Sequence, residues 1–410
     1  MSRIAIVVQR YGAEINGGAE LLARSIARSL RPHYEVDVLT SRALDYRNWE
    51  PHYPAGESEL DGCRIIRFDH PVRQGGYGSN TPFNARLRWM ARRWWPLSPL
   101  VGKPTGNPRR DGLLRLRARG PTMDGLIDYL GFQGESYASL IFFTAFYHPT
   151  AVGVLVHPER SILVPTLHDE KMMYLPHFHR VFRAPRRIMY NTRAEEAVAE
   201  RLYGKDLAPG EIAGIGIDLP APSPDAGGRR WAAMAARYGI VEPYLLYLGR
   251  LDPTKCGSLF EDFLRWRNER GPGVQLVAVG QAFMEPPRDP AIRYTGFVSA
   301  EERDDLIQHA KAMVIPSAYE SLSIALLESL ARGCPVVVNG QSEVLMQHVQ
   351  DSGVGTAYRG YDELKAALDG VLVRVESDRV SDATRGRQYV VERYSWPVVV
   401  EKFRRVIEAS

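Results

Sequence analysis

Residues 315–335 constrain the fold of this chain more strongly than any other segment. Residues 312–315 form an apolar run that is too short for a helix and suits a buried parallel strand. Apolar residues then recur at helical spacing from 322 to 331, and a second apolar run, rich in valine, occupies 335–338. A strand, a loop, a helix and a strand in this order predict a β-α-β unit of a parallel sheet.

The ends of the predicted helix carry start and stop signals. Ser321 or Ser323 can supply an N-cap oxygen, and Gly333 followed by Pro335 ends the helix. The helix start would present free backbone N–H groups and the positive end of the helix dipole at the carboxyl end of a parallel strand. Such a position is suited to binding a phosphate group.

Two carboxylates bracket this helix start, because Glu320 precedes it and Glu328 lies within it. Eight helical residues span about 12 Å at roughly 1.5 Å per residue. Paired glycosidase carboxylates lie only about 5 to 9.5 Å apart, so shared acid–base chemistry is not indicated. The spacing favours two contacts on one long ligand with a phosphate between them, and a sugar nucleotide has that form. An ordinary amphipathic helix with two solvated glutamates is the alternative.

The run Glu320-x7-Glu328, framed by Pro-Ser before it and Gly-x-Pro after it, resembles the signature of the retaining GT-B glycosyltransferases of the GT4 family. The resemblance implies an α/β protein of two Rossmann-like domains facing each other across a cleft. It implies that Glu320 contacts the donor sugar and Glu328 the nucleotide ribose. Backbone N–H groups at Ser321, Leu322 and Ser323 would then serve the donor phosphate, with Ser323 standing where many members have glycine.

Arg250 and Lys255 follow another predicted strand, where they could neutralise a diphosphate. They resemble the Gly-Arg…Lys element of the same family, and a plain charged turn is the alternative. Gly280 ends the next predicted strand, and we place it among the donor-binding residues. The resemblance also implies that the loop containing Phe297 and Val298 receives the nucleotide base, partly through its backbone.

Near the N-terminus, Gly17 and Gly18 stand at the start of a predicted helix, where glycines let a backbone approach a ligand closely. A flexible connector is the alternative. Beside the later motif, Gly17-Gly18-x-Glu20 resembles the GT4 glycine loop that faces the donor phosphates and the acceptor.

The segment Leu44-Asp45-Tyr46-x-x-Trp49, together with the glycine loop, resembles a GT4 subgroup found among bacterial surface-polysaccharide enzymes. In that reading Asp45, Tyr46 and Trp49 line an acceptor pocket, and loop packing is an equal alternative.

His168 and Asp169 follow a predicted strand over residues 161–167, at the kind of strand end where α/β sites assemble. The resemblance implies that His168 faces the donor sugar, and we place Asp169 on the acceptor side. A structural histidine is the alternative.

The bulk properties fit a chain of two to three globular domains. The 410 residues carry a net charge of only +4, too small to indicate a nucleic-acid binder, and three distant cysteines form no metal or redox spacing. Residues 137–157 lack Asp, Glu, Lys and Arg, but a His-Pro pair interrupts them, so we expect a buried strand and a buried helix, with no membrane span. The N-terminal apolar run is too short for a signal peptide, so we expect a cytoplasmic protein.

The segment from about 71 to 125 is unusually basic and contains tryptophan. Ten Lys or Arg residues and one acid, Asp111, fall between Arg86 and Arg119. This composition suits peripheral contact with an anionic membrane or a lipid-diphosphate acceptor, and a solvated basic surface is the alternative.

The resemblance therefore implies retaining glycosyl transfer from a nucleotide sugar to a glycan or lipid-linked acceptor in bacterial polysaccharide biosynthesis. We expect an acceptor-binding domain over 1–217, a donor-binding domain over 218–390, and a helix over 391–410 that returns to the first domain. No metal or cofactor is expected, because the chain has no Asp-x-Asp motif and the family generally needs none. A sugar-nucleotide epimerase or hydrolase on the same fold, or a non-catalytic binder, is the alternative.

Overall fold

The computed structural model describes residues 1–15, 17–72, 115–220 and 228–409. The chain forms two compact units, the first from residues 1–191, 195–213 and 400 onward, and the second from 192–194 and 214–399. Each unit contains a largely parallel sheet with helices, which confirms the predicted α/β class. The predicted membrane-binding and acceptor roles of the basic segment fall mostly on residues 73–114, outside the described residues.

The sheet of the first unit has the strand order β3-β4-β2-β1-β5-β6-β7-β8. β3 pairs antiparallel with β4, and the other neighbours are parallel. β1 lies between β2 and β5, so the strand order reverses at β1, and ligand sites of open α/β sheets form at such a point. The strands are β1 (Arg3–Val7), β2 (Glu35–Ser41), β3 (Gly56–Leu60), β4 (Cys63–Phe68), β5 (Ser139–Phe143), β6 (Ser161–Val164), β7 (Arg187–Tyr190) and β8 (Gly210–Ile212).

Helices of the first unit follow these strands and bury their apolar faces. The amphipathic first helix, for example, buries Leu22, Ile26 and Leu30 at helical spacing. The helices are α1 (Gly18–Leu30), α2 (Asp124–Gln133), α3 (His148–Gly153), α4 (His177–Val181) and α5 (Arg193–Tyr203).

The sheet of the second unit is wholly parallel, with the order β11-β10-β9-β12-β13-β14. Its order reverses at β9, which lies between β10 and β12. The strands are β9 (Tyr244–Leu248), β10 (Gln275–Val279), β11 (Ile292–Gly296), β12 (Met313–Ile315), β13 (Val336–Asn339) and β14 (Thr356–Tyr358).

The helices of the second unit include the one predicted between β12 and β13. They are α6 (Arg229–Tyr238), α7 (Pro253–Cys256), α8 (Leu259–Arg270), α9 (Ala300–His309), α10 (Ile324–Ala331), α11 (Glu343–Ser352), α12 (Tyr361–Val373) and α13 (Glu376–Tyr394).

A final helix, α14 (Trp396–Glu408), begins in the second unit and continues in the first. Within the first unit, Arg405 pairs with Glu211, and the Tyr34 hydroxyl donates to Glu408 Oε1 at 2.9 Å. Arg186 Nη2 donates to the Val406 carbonyl at 3.0 Å. These contacts make the helix an integral part of the first unit.

The buried strand and helix predicted for residues 137–157 are confirmed as β5 and α3. Within the described ranges, the structure contains no helix of the length and apolarity that crossing a bilayer requires.

Of the two predicted N-caps of α10, Ser323 is correct in position, but the predicted capping bond from its side chain was wrong. The helix begins at Ile324, and Ser323 is its N-cap with φ +66° and ψ 77°. A serine caps a helix through its side chain from an extended backbone, whereas this left-handed backbone directs the hydroxyl elsewhere, and Ser323 makes no capping bond from its side chain.

Candidate functional site

An ion pair joins α7 to the loop after β12 in the second unit. Lys255 Nζ lies 2.7 Å from Glu320 Oε1, and it also donates to the Tyr319 carbonyl at 3.3 Å and to Ser317 Oγ at 3.5 Å. Asp252 caps α7 and accepts from the Lys255 N–H at 3.1 Å, which fixes the lysine backbone. The structure thus brings together two predicted site residues that are 65 positions apart.

The ends of β9 and β10 approach each other closely in the same unit. A Cβ on Gly280, whose φ is +131°, would lie 2.1 Å from the Gly249 carbonyl oxygen. The Gly249 N–H donates to the Val279 carbonyl at 3.0 Å. Arg250 follows directly, with Nε 3.6 Å from Asp252 Oδ2 and its side chain one-third exposed. Gly280 therefore acts on the predicted site by admitting the backbone that carries Arg250.

Two consecutive carbonyl groups in the loop before α10 are hydrogen-bonded. The Ser321 carbonyl accepts from Thr192 Oγ1 at 3.4 Å, and the Leu322 carbonyl accepts from His348 Nε2 at 2.7 Å. In a trans peptide the N–H points opposite to the preceding C=O. The Leu322 N–H therefore points away from Thr192, and the Ser323 N–H points away from His348. Neither N–H has a hydrogen-bond acceptor within the part of the chain that the structure describes.

Glu328 lies on α10 with its side chain 15% exposed, and Arg303 Nη1 is 2.9 Å from its Oε1. Burial raises the pKa of Glu328, while Arg303 and Arg332 act in the opposite direction. The predicted ribose contact is thus already ion-paired. Sequence reasoning missed Arg303, because a charged residue in the first turn of a helix gives no sign of a distant partner.

Two exposed aromatic rings lie in the sequence beside predicted site residues of the second unit. Phe297, in the predicted base-binding loop after β11, is 58% exposed, and Tyr319, beside Glu320, is 59% exposed. Val298 is half-buried. Flat exposed rings can pack against a base or a sugar face. Tyr319 was not among the predicted residues.

In the first unit, the predicted glycine loop surrounds a buried ion pair. Arg10 donates to Glu20 Oε1 through Nε at 2.9 Å and Nη2 at 2.6 Å, and its guanidinium lies 5.1 Å from the centre of the Tyr46 ring. A Cβ on Gly17 would lie 2.1 Å from Glu20 Oε2, whereas one on Gly18 would meet open space. The structure therefore gathers Gly17, Glu20 and Tyr46 around Arg10. Arg10 was not among the predicted site residues.

The other two residues of the predicted acceptor segment, Asp45 and Trp49, differ in their surroundings. Asp45 pairs with Arg47 at the surface. Trp49 is 1% exposed, donates through Nε1 to the Arg119 carbonyl at 2.8 Å, and packs edge-on against Tyr147. The loop-packing alternative therefore describes the Trp49 ring in this structure.

His168 and Asp169 follow β6 as predicted. His168 is half-buried, and Asp169 is exposed and accepts from the Tyr174 hydroxyl at 2.8 Å. The next residue, Glu170, lies 3.6 Å from Arg119 Nη2, and burial raises its pKa. Arg119 thus contacts both the Trp49 segment, through its carbonyl, and the His168 segment, through its side chain.

Glu195 binds the backbone next to His168 and was not among the predicted residues. Its carboxylate is fully buried and accepts from the Leu167 N–H and the Asn191 N–H, each at 2.5 Å. These bonds connect the segments that follow β6 and β7. Burial raises the pKa of Glu195 to about 8, against the opposing effect of the two N–H donors.

No group of three or more His, Cys, Asp or Glu side chains arranged to hold a metal occurs among the described residues.

Comparison with solved structures identifies the fold. The sucrose-phosphate synthase of Thermosynechococcus elongatus superposes with a TM-score of 0.66 at 16% identity, and Anabaena HepE in complex with UDP and glucose with 0.65 at 15% identity. Each comparison covers 100% of both chains. The chain has the GT-B fold, which confirms the predicted architecture.

Comparison by sequence points in the same direction. Residues 242–372 match the family model described as "Glycosyl transferases group 1", and this region includes Lys255, Glu320 and Glu328. The phosphatidyl-myo-inositol mannosyltransferase of Mycobacterium leprae (strain TN) is 28% identical over 205 residues. That match covers 48% of this chain and 52% of the relative, so the chain spans about half the length of this curated relative.

Proposed function

We propose that the chain is a retaining glycosyltransferase of the GT4 type. It moves a sugar from a nucleotide-sugar donor to a glycan or lipid-linked acceptor in bacterial polysaccharide or glycoconjugate biosynthesis. The observation that carries the proposal is the pair between Lys255 on α7 and Glu320 on the loop that leads into α10. In the same loop, the N–H groups of Leu322 and Ser323 have no acceptor among the described residues.

These groups match the charge that develops when a sugar leaves a diphosphate. Lys255 and Arg250 provide cationic donors, and the two loop N–H groups with the dipole of α10 add fixed donors for a phosphate oxygen. Donors already in place at the site of developing negative charge lower the barrier without reorganisation. Glu328 accepts from ribose hydroxyls in this arrangement.

For His168, only the family resemblance supports a donor-sugar contact. Glu320 orients the donor sugar rather than attacking it. Its carboxylate is held at 2.7 Å by a lysine, which suits a fixed hydrogen-bond acceptor for sugar hydroxyls. The acceptor hydroxyl attacks the anomeric carbon on the face that the diphosphate leaves, and its proton passes to the departing diphosphate. This same-face attack retains the anomeric configuration without a protein nucleophile. The reaction proposed here needs no metal.

The comparisons support the substrate classes. The Anabaena HepE structure contains UDP and glucose, which supports a nucleotide-sugar donor. The Mycobacterium leprae relative is named for mannosyl transfer with phosphatidyl-myo-inositol, a phospholipid, and this supports a lipid-linked acceptor. We place the enzyme in the cytoplasm, with the basic segment contacting the anionic inner face of the membrane.

Release of nucleoside diphosphate from UDP-, GDP-, dTDP- and ADP-sugars tests the proposal. We expect release from one donor in the wild type, and a loss of about 100-fold or more in Lys255→Ala and Glu320→Ala, the effect typical of removing a charge-stabilising group. The pair Lys365–Glu269, also 2.7 Å apart and in the same unit, supplies matched controls. Lys365→Ala and Glu269→Ala should retain full activity.

The outcomes separate this proposal from its rivals. If no nucleotide sugar reacts or binds, the donor site is refuted. Donor turnover with no transfer to any added acceptor would indicate a hydrolase or an epimerase. Binding that survives both site variants without turnover would indicate a non-catalytic binder.

A further inference from the structure

A buried histidine in the second unit holds the loop whose N–H groups face the proposed phosphate. His348 lies on α11 with none of its surface exposed, and its Nε2 is 2.7 Å from the Leu322 carbonyl oxygen. Its Nδ1 is 2.8 Å from the Tyr389 hydroxyl, and that hydroxyl is 3.4 Å from the Tyr394 hydroxyl. The Tyr389 and Tyr394 rings both pack edge-on against the imidazole.

The partners determine where the imidazole proton lies. A carbonyl oxygen can only accept, so Nε2 carries the proton and donates it to Leu322. Nδ1 is then an acceptor, and the Tyr389 hydroxyl donates to it. Burial lowers the pKa of His348 to about 4, so the ring is neutral and this single tautomer persists at physiological pH.

The loop needs such a restraint, because its backbone is not in a relaxed conformation. Ser323 has φ +66°, a region that L-residues other than Asn and Asp enter at a cost of roughly 1 kcal/mol or more. Its carbonyl accepts from the N–H groups of Leu326 and Leu327 at 3.1 and 3.3 Å, so the same residue also organises the first turn of α10.

We propose that His348 is a positioning residue for the donor site. By holding the Leu322 carbonyl, it keeps the Ser323 N–H turned to the opposite side of the loop, toward the donor phosphate. Tyr389 acts one step further away, by fixing the tautomer that can donate. The phosphate contact rests on the function proposed above, whereas the effect on the loop does not.

The test compares His348→Leu, which removes the donor, with His348→Gln, whose amide N–H can reach the same carbonyl. Val344→Ala is the matched control, because Val344 lies one turn earlier on α11, is 4% exposed and does not hold the loop. Val344→Ala shows what a general loss of packing in this helix does.

The first readout is amide hydrogen exchange of residues 323–331 in the ligand-free protein. Exchange there should rise in His348→Leu and stay near the wild-type rate in His348→Gln and Val344→Ala. The second readout is the Kd of whichever of UDP, GDP, dTDP and ADP binds the wild type most tightly. We expect about tenfold weaker binding in His348→Leu, the order of effect of one lost buried hydrogen bond, and little change in the other two.

Equal exchange in His348→Leu and the wild type would overturn the proposal, as would equal effects of His348→Leu and Val344→Ala. If the exchange pattern holds but no nucleotide binds the wild type, the loop restraint is correct and the proposed function is wrong. If His348→Leu does not fold, Tyr389→Phe gives the same comparison, with a smaller rise in exchange expected and no rise contradicting the proposal.

Discussion

Gly280 offers a sharp test of how the strand ends position the proposed donor site. It follows β10 with φ +131°, and a Cβ there would lie 2.1 Å from the Gly249 carbonyl oxygen and 2.8 Å from its carbonyl carbon. Both obstructing atoms are backbone, so no side chain can rotate aside. Gly280→Ala must therefore push the ends of β9 and β10 apart, next to Arg250.

The chain provides a close control for the backbone strain. Gly273, before the other end of β10, has φ +124°, and a Cβ there would meet no atom within 4 Å. Gly273→Ala should cost only the strained φ, about 1–3 kcal/mol. Gly280→Ala adds a steric term of about 1–3 kcal/mol, by comparison with overpacked cores. At about 2–4 °C per kcal/mol, its melting temperature should fall a further 2–12 °C or so.

Thermal unfolding of both variants, followed by nucleoside diphosphate titration, measures the two effects. We expect Gly280→Ala to bind the nucleotide more weakly than Gly273→Ala, because only the former displaces the residue next to Arg250. Equal melting temperatures for the two variants would refute the steric argument. A lower melting temperature with unchanged nucleotide binding would refute the link to Arg250.

Three further predictions follow from buried titratable groups. Glu195, with its pKa raised to about 8, binds a proton in the folded state that the unfolded chain releases near pH 4.5, so stability should fall as pH rises from 4.5 to 8. Glu195→Gln should flatten that slope in urea unfolding, and an unchanged slope would contradict the assignment. Arg303→Gln should raise the pKa of Glu328 further. On acidification, the variant should therefore lose nucleotide affinity at a higher pH than the wild type. Coincident pH profiles of the nucleotide Kd for the two proteins would argue against this role of Arg303. Burial raises the pKa of the Cys63 and Cys334 thiols to about 11, so a thiol reagent should label neither in the native protein within the time that urea-unfolded protein is fully labelled.

The β-α-β unit around β12 could be predicted because its signals are local. An apolar run, helical spacing and a Gly-x-Pro stop all lie within 25 residues or so, and periodicity fixes the element types. The same signals left Ser321 and Ser323 open as the N-cap of α10. A serine before a helix normally caps it from an extended backbone, and nothing in the sequence shows that the Ser323 backbone is left-handed.

Polar or mixed segments were harder to assign. β3 (Gly56–Leu60) went unpredicted, because its sequence Gly-Glu-Ser-Glu-Leu is mostly polar and its residues are exposed at the edge of the sheet. The helix α11 (Glu343–Ser352) also went unassigned. Its buried face includes a histidine, which hydropathy counts as polar although His348 is fully buried.

The functional residues divide in the same way. Lys255, Glu320 and Glu328 could be chosen from local motifs, but their partners lie far along the chain, and pairing across the fold leaves no local pattern. Arg10, Arg303 and Glu195 are therefore visible only in the structure, where the fold brings each into contact with its partner.

The shared helix α14 has a consequence for how the protein is made. The first unit is not complete until residues 400–409 have been synthesised, although its strands emerge from the ribosome long before. The second unit is therefore synthesised after most of the first unit and before the first unit's last helix. A fragment ending near residue 217 would lack the partners of Glu211, Tyr34 and Arg186 on that helix. Such a fragment should expose apolar surface and bind chaperones, whereas residues 214–399 contain a complete parallel sheet of their own.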